Sequence, residues 1–251
     1  MSSLDIVEGG YRIHLARGRD DLDEAARLRF EVFNLELGEG LEGAAATGRD
    51  LDEFDEACDH LIVRQGATER VVGTYRMQTA AQARAHRGFY SATEFDLAAL
   101  PDEVLADGIE VGRACIDQAF RSRRVLLLLW KGLAAYLQAY NKRYLFGCCS
   151  LPTLDPAVGW AAARELRAAG AWHPTWRVSA AHATALPEPV DALPPSVDLP
   201  MLFRTYLRFG AWVCGGPVLD VAFGTTDFLV VLDRRQLTPE AAAMFFTRGD
   251  A

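Results

Sequence analysis

A buried strand that runs into a basic turn and then a long apolar helix lies near the middle of the chain. The strand is "IEVGRACI" (109–116), the turn is "RSRR" (121–124), and apolar side chains then recur at helical spacing from Val125 to Tyr140. The segment "RYLFGCCS" (143–150) follows with the composition of a second buried strand. Two strands joined by a helix with close connections predict a βαβ unit and a parallel strand pair.

A first helix is expected from Asp20 or Asp21, as its cap, to about Leu37. Its apolar face is marked at i, i+3, i+4 spacing by Leu22, Ala25, Ala26 and Phe33. Arg29 falls on the same face, so its guanidinium must either reach out to solvent or meet a buried carboxylate.

The residues that follow predict a loop, a hairpin and a short helix. The acidic, glycine-rich segment 38–58 is expected to be a mobile loop, and 60–65 and 70–79 to be two hairpin strands. Ser91 and Glu94 have capping-box spacing, which predicts a short helix at that point.

The second half of the chain continues the alternation of helices and strands. Helices are expected at 156–169, ended by Gly170, at 201–209, ended by Gly210, and from Pro239 onward, with closing strands at 211–221 and 227–233. Residues 170–200 include six prolines and predict an irregular crossing. The fold class expected is a single α/β domain, residues 1–251, with a mixed sheet flanked by helices.

Composition excludes several classes of protein. The net charge of −8 argues against a general nucleic-acid binder. The longest purely apolar run, Val125 to Trp130, is six residues, far short of the roughly 20 that a membrane-spanning helix needs. No signal peptide is visible, and the five cysteines show no spacing typical of a metal site or a disulfide framework. We therefore expect a cytoplasmic protein with no metal.

Charge is unevenly distributed along the chain. Residues 19–59 carry fourteen acids against four arginines, a net of −10, whereas residues 113–143 carry seven basic residues against Asp117, a net of +6. These runs are either two solvated faces or, for the basic run, a landing site for an anionic partner.

Glu110, Gly112 and Arg113 interrupt the central strand. In a regular strand Glu110 and Arg113 point to opposite faces, but a bulge at Gly112 brings both to one side and frees a backbone group for a ligand. The basic turn then leads into a helix N-terminus, where backbone amides favour a phosphate. This combination suits a pantetheine-linked thioester.

Strand, basic turn and long helix resemble the central motif of the GNAT acyltransferase superfamily. Four ordered segments resemble its acyl-carrier-protein-dependent branch, including the acyl-homoserine-lactone synthases: "LRFEVF" (28–33), "DLDEFDEACDHLIV" (50–63), "VVGTYRMQ" (71–78) and "EVGRACI" (110–116). The chain looks most like the bacterial N-acyltransferases that make lyso-ornithine lipid, through "GFYSATEFDL", "LLLLWKGLAAY", "LFGCCSL", "YLRFGAWVCG" and "TTDFLVVLD". The turn "RSRRVL" departs from the usual glycine-containing pyrophosphate loop, which favours a carrier protein with one phosphate over acetyl-CoA.

The resemblance implies transfer of a fatty acyl group, often 3-hydroxylated, from acyl carrier protein to the α-amine of an amino acid. Glu110 is the candidate general base, and its alternative role is a structural partner of Arg113 or Arg29. The backbone amide around Cys115 is the candidate oxyanion donor, with no nucleophilic role for the thiol. No tightly bound cofactor is implied, because the donor is the acyl-phosphopantetheine of the carrier protein.

The resemblance also implies a charged set that orders the acidic loop over the site. Its members match Arg29, Asp52, Asp55, Arg76 and Arg113 and, with Glu110, give three arginines and three carboxylates; separately, each forms only an exposed ion pair. The phosphate and the carrier's acidic helix are assigned to Arg121, Arg123 and Arg124, at the helix start beside Val125. Leu145, Phe146, Trp130 and Trp160 either line the acyl cleft or belong to an ordinary core. Asp227 or acids of the 50–59 loop are candidates for meeting a cationic acceptor.

Three classes of function remain open at this point. The first is a carrier-dependent N-acyltransferase, with ornithine the first-choice acceptor and glycine, tyrosine, another amine or S-adenosylmethionine as alternatives. The second is a carrier-binding module without catalysis. The third adds a peripheral contact with the inner membrane face through Phe203, Tyr206, Leu207 and Trp212 of the segment from Met201 to Val213.

Overall fold

The computed structural model describes residues 4–181, 184–187 and 193–246. Eight strands form one mixed sheet in the order β1-β2-β3-β4-β5-β6-β8-β7. The strands are β1 (Asp5–Glu8), β2 (Tyr11–Leu15), β3 (Asp59–Gln65), β4 (Val71–Thr79), β5 (Gly108–Ile116), β6 (Tyr144–Leu151), β7 (Trp212–Asp220) and β8 (Thr225–Asp233). The expected α/β fold with a mixed sheet is therefore confirmed.

The helices occupy nearly all the positions that the sequence predicts. They are α1 (Arg19–Arg29), α2 (Ala44–Thr47), α3 (Ala80–Ala85), α4 (Asp102–Ala106), α5 (Arg123–Ala139), α6 (Pro156–Ala168), α7 (Met201–Arg208) and α8 (Pro239–Phe245). A π-helical segment, Phe30–Leu37, continues α1 to the residue at which the first helix is expected to end.

The chain divides into two compact units that share β5. The first unit comprises the chain up to Arg87 together with residues 111–142, and the second comprises residues 88–110 together with the chain from Arg143 onward.

In the first unit, strands β1 to β4 are antiparallel neighbours in chain order. Gly9 and Gly10 form the β1–β2 turn with φ of +58° and +83°, values that favour glycine and suit a two-residue hairpin. Helix α5 lies against this sheet, and Gly132 permits the close approach, since a Cβ there would lie 2.5 Å from a methyl carbon of Leu61. The β1–β2 hairpin is absent from the sequence prediction, although its Gly-Gly turn is a hairpin signal.

In the second unit, the first residues of β5 pair in parallel with β6, with Glu110 opposite Phe146. Strand β6 pairs antiparallel with β8, which pairs antiparallel with β7. The parallel pair that the βαβ pattern predicts is confirmed. One face of these strands carries an apolar core that includes Phe95, Phe146 and Leu229, each at most 1% exposed.

Two predictions of helix starts are wrong. Gly18, not Asp20 or Asp21, occupies the cap position of α1, and no side chain caps it. Ser91 does not start a capped helix, because it lies inside the 3₁₀ turn Tyr90–Thr93 and its amide donates to a carboxylate far along the chain.

The acidic segment 38–58 contains α2 and a 3₁₀ turn at Asp55–Ala57 rather than loop alone. Part of the predicted irregular crossing, residues 182–183 and 188–192, lies outside the described residues. In the predicted membrane-contacting segment, Phe203 and Tyr206 are 1% and 5% exposed and pack inside the second unit, whereas Met201 is 60% exposed.

Backbone irregularity in β5 falls one residue after the glycine at which a bulge is expected. Arg113 has a φ of +50°, a left-handed conformation that is costly for a residue with a side chain. Gly112 has no positive φ, and a Cβ built on it meets no atom within 4 Å. The space beside Gly112 is therefore open.

Two glycine substitutions in β5 should differ in their effect on stability. A Cβ at Gly108 would lie 2.2 Å from the Val104 carbonyl oxygen and 3.0 Å from the Phe146 ring, so Gly108→Ala should lower the free energy of unfolding by about 1–3 kcal/mol. Gly112→Ala, the matched control, should change it by less than about 0.5 kcal/mol. Urea denaturation measures both, and equal losses would contradict this account.

Candidate functional site

A buried network of three arginines and three aspartates lies in the first unit. Arg29 is fully buried on the apolar face of α1, because its guanidinium meets carboxylates instead of solvent. Its Nε donates to Asp50 Oδ1 at 2.9 Å, and its Nη1 donates to Asp55 Oδ1 at 2.7 Å. Of the two alternatives for Arg29, the structure shows the buried carboxylate.

Two further arginines, from β4 and β5, complete the network. Arg76 Nη1 donates to Asp52 Oδ1 at 2.5 Å, and Arg113 Nη2 donates to Asp52 Oδ2 at 2.9 Å. Arg113 Nε also lies 3.5 Å from Asp50 Oδ1. The residue with the left-handed backbone conformation, Arg113, is thus one whose side chain completes the network.

Ion pairing in the network favours the charged forms of Asp52, Asp55 and Arg29. Burial opposes ionisation of Asp55, but Arg29 and Arg76 outweigh it and hold the pKa of that carboxyl well below its usual range. Burial likewise opposes ionisation of Asp52, and Arg76 and Arg113 lower its pKa. Burial acts against the charge of Arg29, but Asp55 and Asp50 raise its pKa.

The structure brings together five of the six residues expected in this network. The sixth, Glu110, is replaced by Asp50, which sequence reasoning missed. Asp50 is 0% exposed, and its amide donates to the Ala26 carbonyl oxygen, which ties the acidic segment to α1. Asp50 stands among so many nearby acids that no spacing rule selects it.

The basic turn leads into α5 as expected. Ser122 occupies the cap position, and its side chain accepts from the amide of the buried Val125. Arg121 is paired with Glu36, with 2.9 Å between Nη2 and Oε2. Arg124 lies over the Tyr11 ring, whereas Arg123 is exposed and has no partner among the described residues.

The net charge of +6 across residues 113–143 does not form one free surface. Arg113 is buried in the network, Arg121 is paired with Glu36, and Lys131 is paired with Glu8. The exposed basic charge at the start of α5 therefore comes from Arg123 and Arg124.

In the second unit, Glu110 is 6% exposed and accepts two backbone hydrogen bonds. The amide of Tyr90 donates to Oε2 at 2.8 Å and the amide of Ser91 donates to Oε1 at 2.7 Å. Each carboxylate oxygen of Glu110 therefore has a backbone donor.

A cluster of acidic side chains lies in the same unit. One ligand atom each of Glu94, Cys148 and Asp227 all lie within 4.8 Å of one another. Burial raises the pKa of Glu94, and the charges of Asp227 and Asp220 raise it further. Burial and then Asp220 raise the pKa of Asp227 as well. Of these residues only Asp227 was a candidate from the sequence, because Glu94 has the position of a helix-capping residue.

Most of the remaining candidate residues are buried in the protein interior. Leu145, Phe146 and Trp130 are at most 3% exposed, which favours the core interpretation for them, and Trp160 Nε1 donates to the Pro187 carbonyl oxygen at 2.8 Å. Burial raises the pKa of the Cys115 thiol far above its usual range, so the thiol stays protonated.

Removal of Arg29 should be far more damaging than removal of an exposed arginine of the same helix. Arg29→Met leaves Asp50 and Asp55 buried without their main counter-charge, so the free energy of unfolding should fall by about 3–5 kcal/mol. Arg27, 57% exposed and paired with Asp23, is the matched control, and Arg27→Met should cost less than about 1 kcal/mol.

Urea denaturation with an unchanged m-value measures both variants. Similar losses for the two arginines would show that the buried pairs contribute no more than a surface pair.

Known proteins resemble this chain in domain type and in fold. The acetyltransferase (GNAT) domain model matches residues 28–131. FeeM, an N-acyl amino acid synthase from uncultured soil microbes, is similar with a TM-score of 0.56 and 13% identity, over 93% of this chain and 97% of that chain. The AHL synthase LasI is similar with a TM-score of 0.50 and 12% identity, over 98% and 96%. At these identities the likeness shows the fold.

Other known proteins are more similar to this chain in sequence. An L-ornithine N(alpha)-acyltransferase of Brucella abortus (strain 2308) is 35% identical over 245 residues, which cover 89% of this chain and 84% of that protein. One of Agrobacterium fabrum (strain C58 / ATCC 33970) is 36% identical over 249 residues, 89% of this chain and 81% of that protein. With this identity over most of both lengths, the chain belongs to the family of L-ornithine Nα-acyltransferases, built on a GNAT-like fold.

Proposed function

We propose that this acyltransferase moves a fatty acyl group, 3-hydroxylated in the favoured case, from acyl carrier protein to the α-amine of ornithine, giving a lyso-aminolipid. The observation that carries the proposal is the similarity, over 89% of the chain, to L-ornithine Nα-acyltransferases. The buried carboxylate of Glu110 supports it, because N-acylation needs a group that accepts a proton from the acceptor ammonium.

The proposed reaction is a direct transfer. Glu110 takes one proton from the acceptor's α-ammonium, directly or through a water, and the freed amine nitrogen attacks the thioester carbon. The carbon–nitrogen bond forms and the carbon–sulfur bond breaks, and the pantetheine sulfur leaves as a thiol once it is protonated. The nitrogen loses its second proton as the amide forms and the departing sulfur takes up one proton, so one proton is released overall through Glu110 and neither an oxidant nor a reductant is needed.

Hydrogen bonds from the amides of Tyr90 and Ser91 hold the Glu110 carboxylate in one orientation. The same bonds also support the structural alternative, in which Glu110 only anchors the 3₁₀ turn. The experiment on Glu110 must therefore separate a base from an anchor.

The first unit is assigned the donor. The backbone amide around Cys115 is the proposed oxyanion donor, and the protonated thiol of Cys115 takes no part as a nucleophile. At the start of α5, backbone amides and the exposed Arg123 and Arg124 are the proposed contacts for the pantetheine phosphate and the carrier's acidic surface. Arg121 contributes only if it exchanges Glu36 for the phosphate. The Arg29 network is proposed to hold the acidic segment in place.

No helix among the described residues is long and apolar enough to cross a bilayer. We propose a cytoplasmic enzyme, and liposome flotation with and without the carrier tests a peripheral contact at the inner membrane face.

Glu110→Gln should lower ornithine-dependent thiol release from 3-hydroxyacyl carrier protein by at least about a hundredfold at pH 7. The deficit should shrink as the pH rises to 9.5, because the acceptor amine is then already neutral and needs no base. An anchoring role predicts a deficit that is the same at every pH. Glu110→Asp, which keeps the carboxylate, should retain more activity than Glu110→Gln, and Glu240→Gln, at a residue 77% exposed in the same unit, is the matched control.

Charge reversal at the start of α5 should weaken binding of the acyl carrier protein without affecting binding of ornithine. Arg123→Glu and Arg124→Glu should each raise the KM for the acyl carrier at least about threefold, an effect that weakens as salt is added, while the KM for ornithine stays unchanged. Arg84→Glu, the same change at another exposed arginine of the first unit, should leave both KM values as they are. Equal effects of Arg84→Glu would remove α5 as the docking point.

An acceptor panel separates ornithine from the alternatives. Thiol release with glycine, tyrosine or S-adenosylmethionine but not with ornithine would reassign the acceptor. Tight carrier binding with no thiol release for any amine would make the protein a carrier-binding module.

A further inference from the structure

The second unit contains buried carboxylates that no cation balances. Glu94, Asp227 and Asp220 are 3%, 2% and 8% exposed. Within the described ranges, no ion pair with lysine, arginine or histidine involves any of the three. The buried aspartates of the first unit, in contrast, are each paired with arginines.

Glu94 is the member whose polar atoms are not satisfied. Its Oε1 atom is buried and accepts no hydrogen bond from any donor of the described residues. Its Oε2 accepts from the weak donor Cys148 Sγ at 3.5 Å, and the carboxyls of Glu94 and Asp227 are close enough to share a hydrogen bond when Glu94 carries a proton. The other two carboxylates have donors: Thr225 Oγ1 donates to Asp227 Oδ1 at 2.8 Å, and the Tyr90 hydroxyl donates to Asp220 Oδ2. A buried carboxylate oxygen without a donor indicates a ligand that supplies one.

The cluster shares a face of the sheet with Glu110. Glu110 lies opposite Phe146 in the β5–β6 pairing, and Asp227 lies opposite Ser150 in the β6–β8 pairing. Paired residues point to the same face, as do residues two apart along a strand, so Phe146, Cys148 and Ser150 place both carboxylates on one face. Cys148 and Ser150, which lie on this face, are half-buried.

The spacing along β6 matches the length of a diamino acid. Cys148 lies two residues beyond Phe146, which is about 6.6 Å along a strand. The α- and δ-nitrogens of an extended ornithine are roughly 6 Å apart by standard bond lengths. A ligand with one nitrogen at Glu110 therefore reaches the Glu94 cluster with the other.

We propose that Glu94 and Asp227, together with the charge of Asp220, bind the side-chain ammonium of the acceptor amino acid. This inference rests on the proposed function and adds the residues that select a cationic acceptor. An ammonium has three N–H donors and no acceptor, which is the complement of this carboxylate set. The ligand atoms of Glu94, Cys148 and Asp227 all lie within 4.8 Å of one another, close enough for one nitrogen to contact more than one of them.

Protonation explains how the free protein tolerates the cluster. Burial and then the neighbouring carboxylates raise the pKa of Glu94, so without a ligand it keeps its proton at neutral pH. A bound ammonium replaces that proton with a positive charge and restores the carboxylate. The thiol of Cys148 stays protonated for the same reason, burial first, which makes it a poor metal ligand.

The test compares ornithine with norvaline, which has the same carbon chain and lacks the side-chain ammonium. In the wild type, kcat/KM for thiol release from acyl carrier protein should favour ornithine strongly. Glu94→Gln and Asp227→Asn should each lower the ornithine-to-norvaline ratio at least about thirtyfold, mainly by raising the KM for ornithine. Asp102→Asn, the same loss of charge at an exposed residue of the second unit, is the matched control.

A second readout does not depend on turnover. Ornithine should raise the melting temperature of the wild type in the presence of the carrier protein, norvaline should not, and Glu94→Gln should remove the ornithine shift.

The outcomes are distinguishable. A wild type that prefers ornithine, with the ratio unchanged in both cluster variants, overturns this inference and leaves the proposed function standing. A wild type that releases no thiol with ornithine overturns the proposed function and this inference with it. Ornithine selectivity that is lost on chelation and restored by a divalent metal overturns the inference by assigning the cluster to that metal.

Discussion

The burial of Arg29 is the constraint on which the first unit depends. A guanidinium on the apolar face of a helix costs several kcal/mol in desolvation unless its donors are all met. Asp50 and Asp55 meet them, and they come from a segment that has little regular structure of its own. The ion pairs therefore hold residues 50–55 of this segment against α1.

The buried carboxylates of the Glu94 cluster in the second unit, unlike the buried aspartates of the Arg29 network, are not balanced by arginines of the described residues. They are close together, without cations among the described residues, and at least one must hold a proton at neutral pH. Such an arrangement is unfavourable for folding alone, because each group would be more stable in water. A balanced network that orders a segment and an unbalanced cluster beside a candidate base are therefore different kinds of site, and the second is the kind that awaits a charged ligand.

The sequence predicts elements well where periodicity is local and fails where a partner is distant. Arg29 is predicted to need a carboxylate because its own helix places it, whereas the identity of Asp50 depends on how a non-periodic segment returns to α1. The spacing of Ser91 and Glu94 predicts a capping box, yet the Ser91 amide donates to Glu110 and Glu94 points into an acidic cluster. A capping rule compares only neighbours, so it cannot register a carboxylate that arrives 19 residues later in the chain.

The two sites also give stability opposite dependences on pH. The lowered pKa of Asp55 contributes stability that is present above its unfolded pKa of about 3.9 and is lost as the pH falls toward its folded pKa. The raised pKa of Glu94 does the reverse: its contribution is fully present below about 4.3 and is lost as the pH rises through the folded pKa. At neutral pH the free protein therefore keeps the network's contribution and loses part of that of the cluster. An ammonium bound to Glu94 removes this loss, so acceptor binding and folding are linked through one carboxylate.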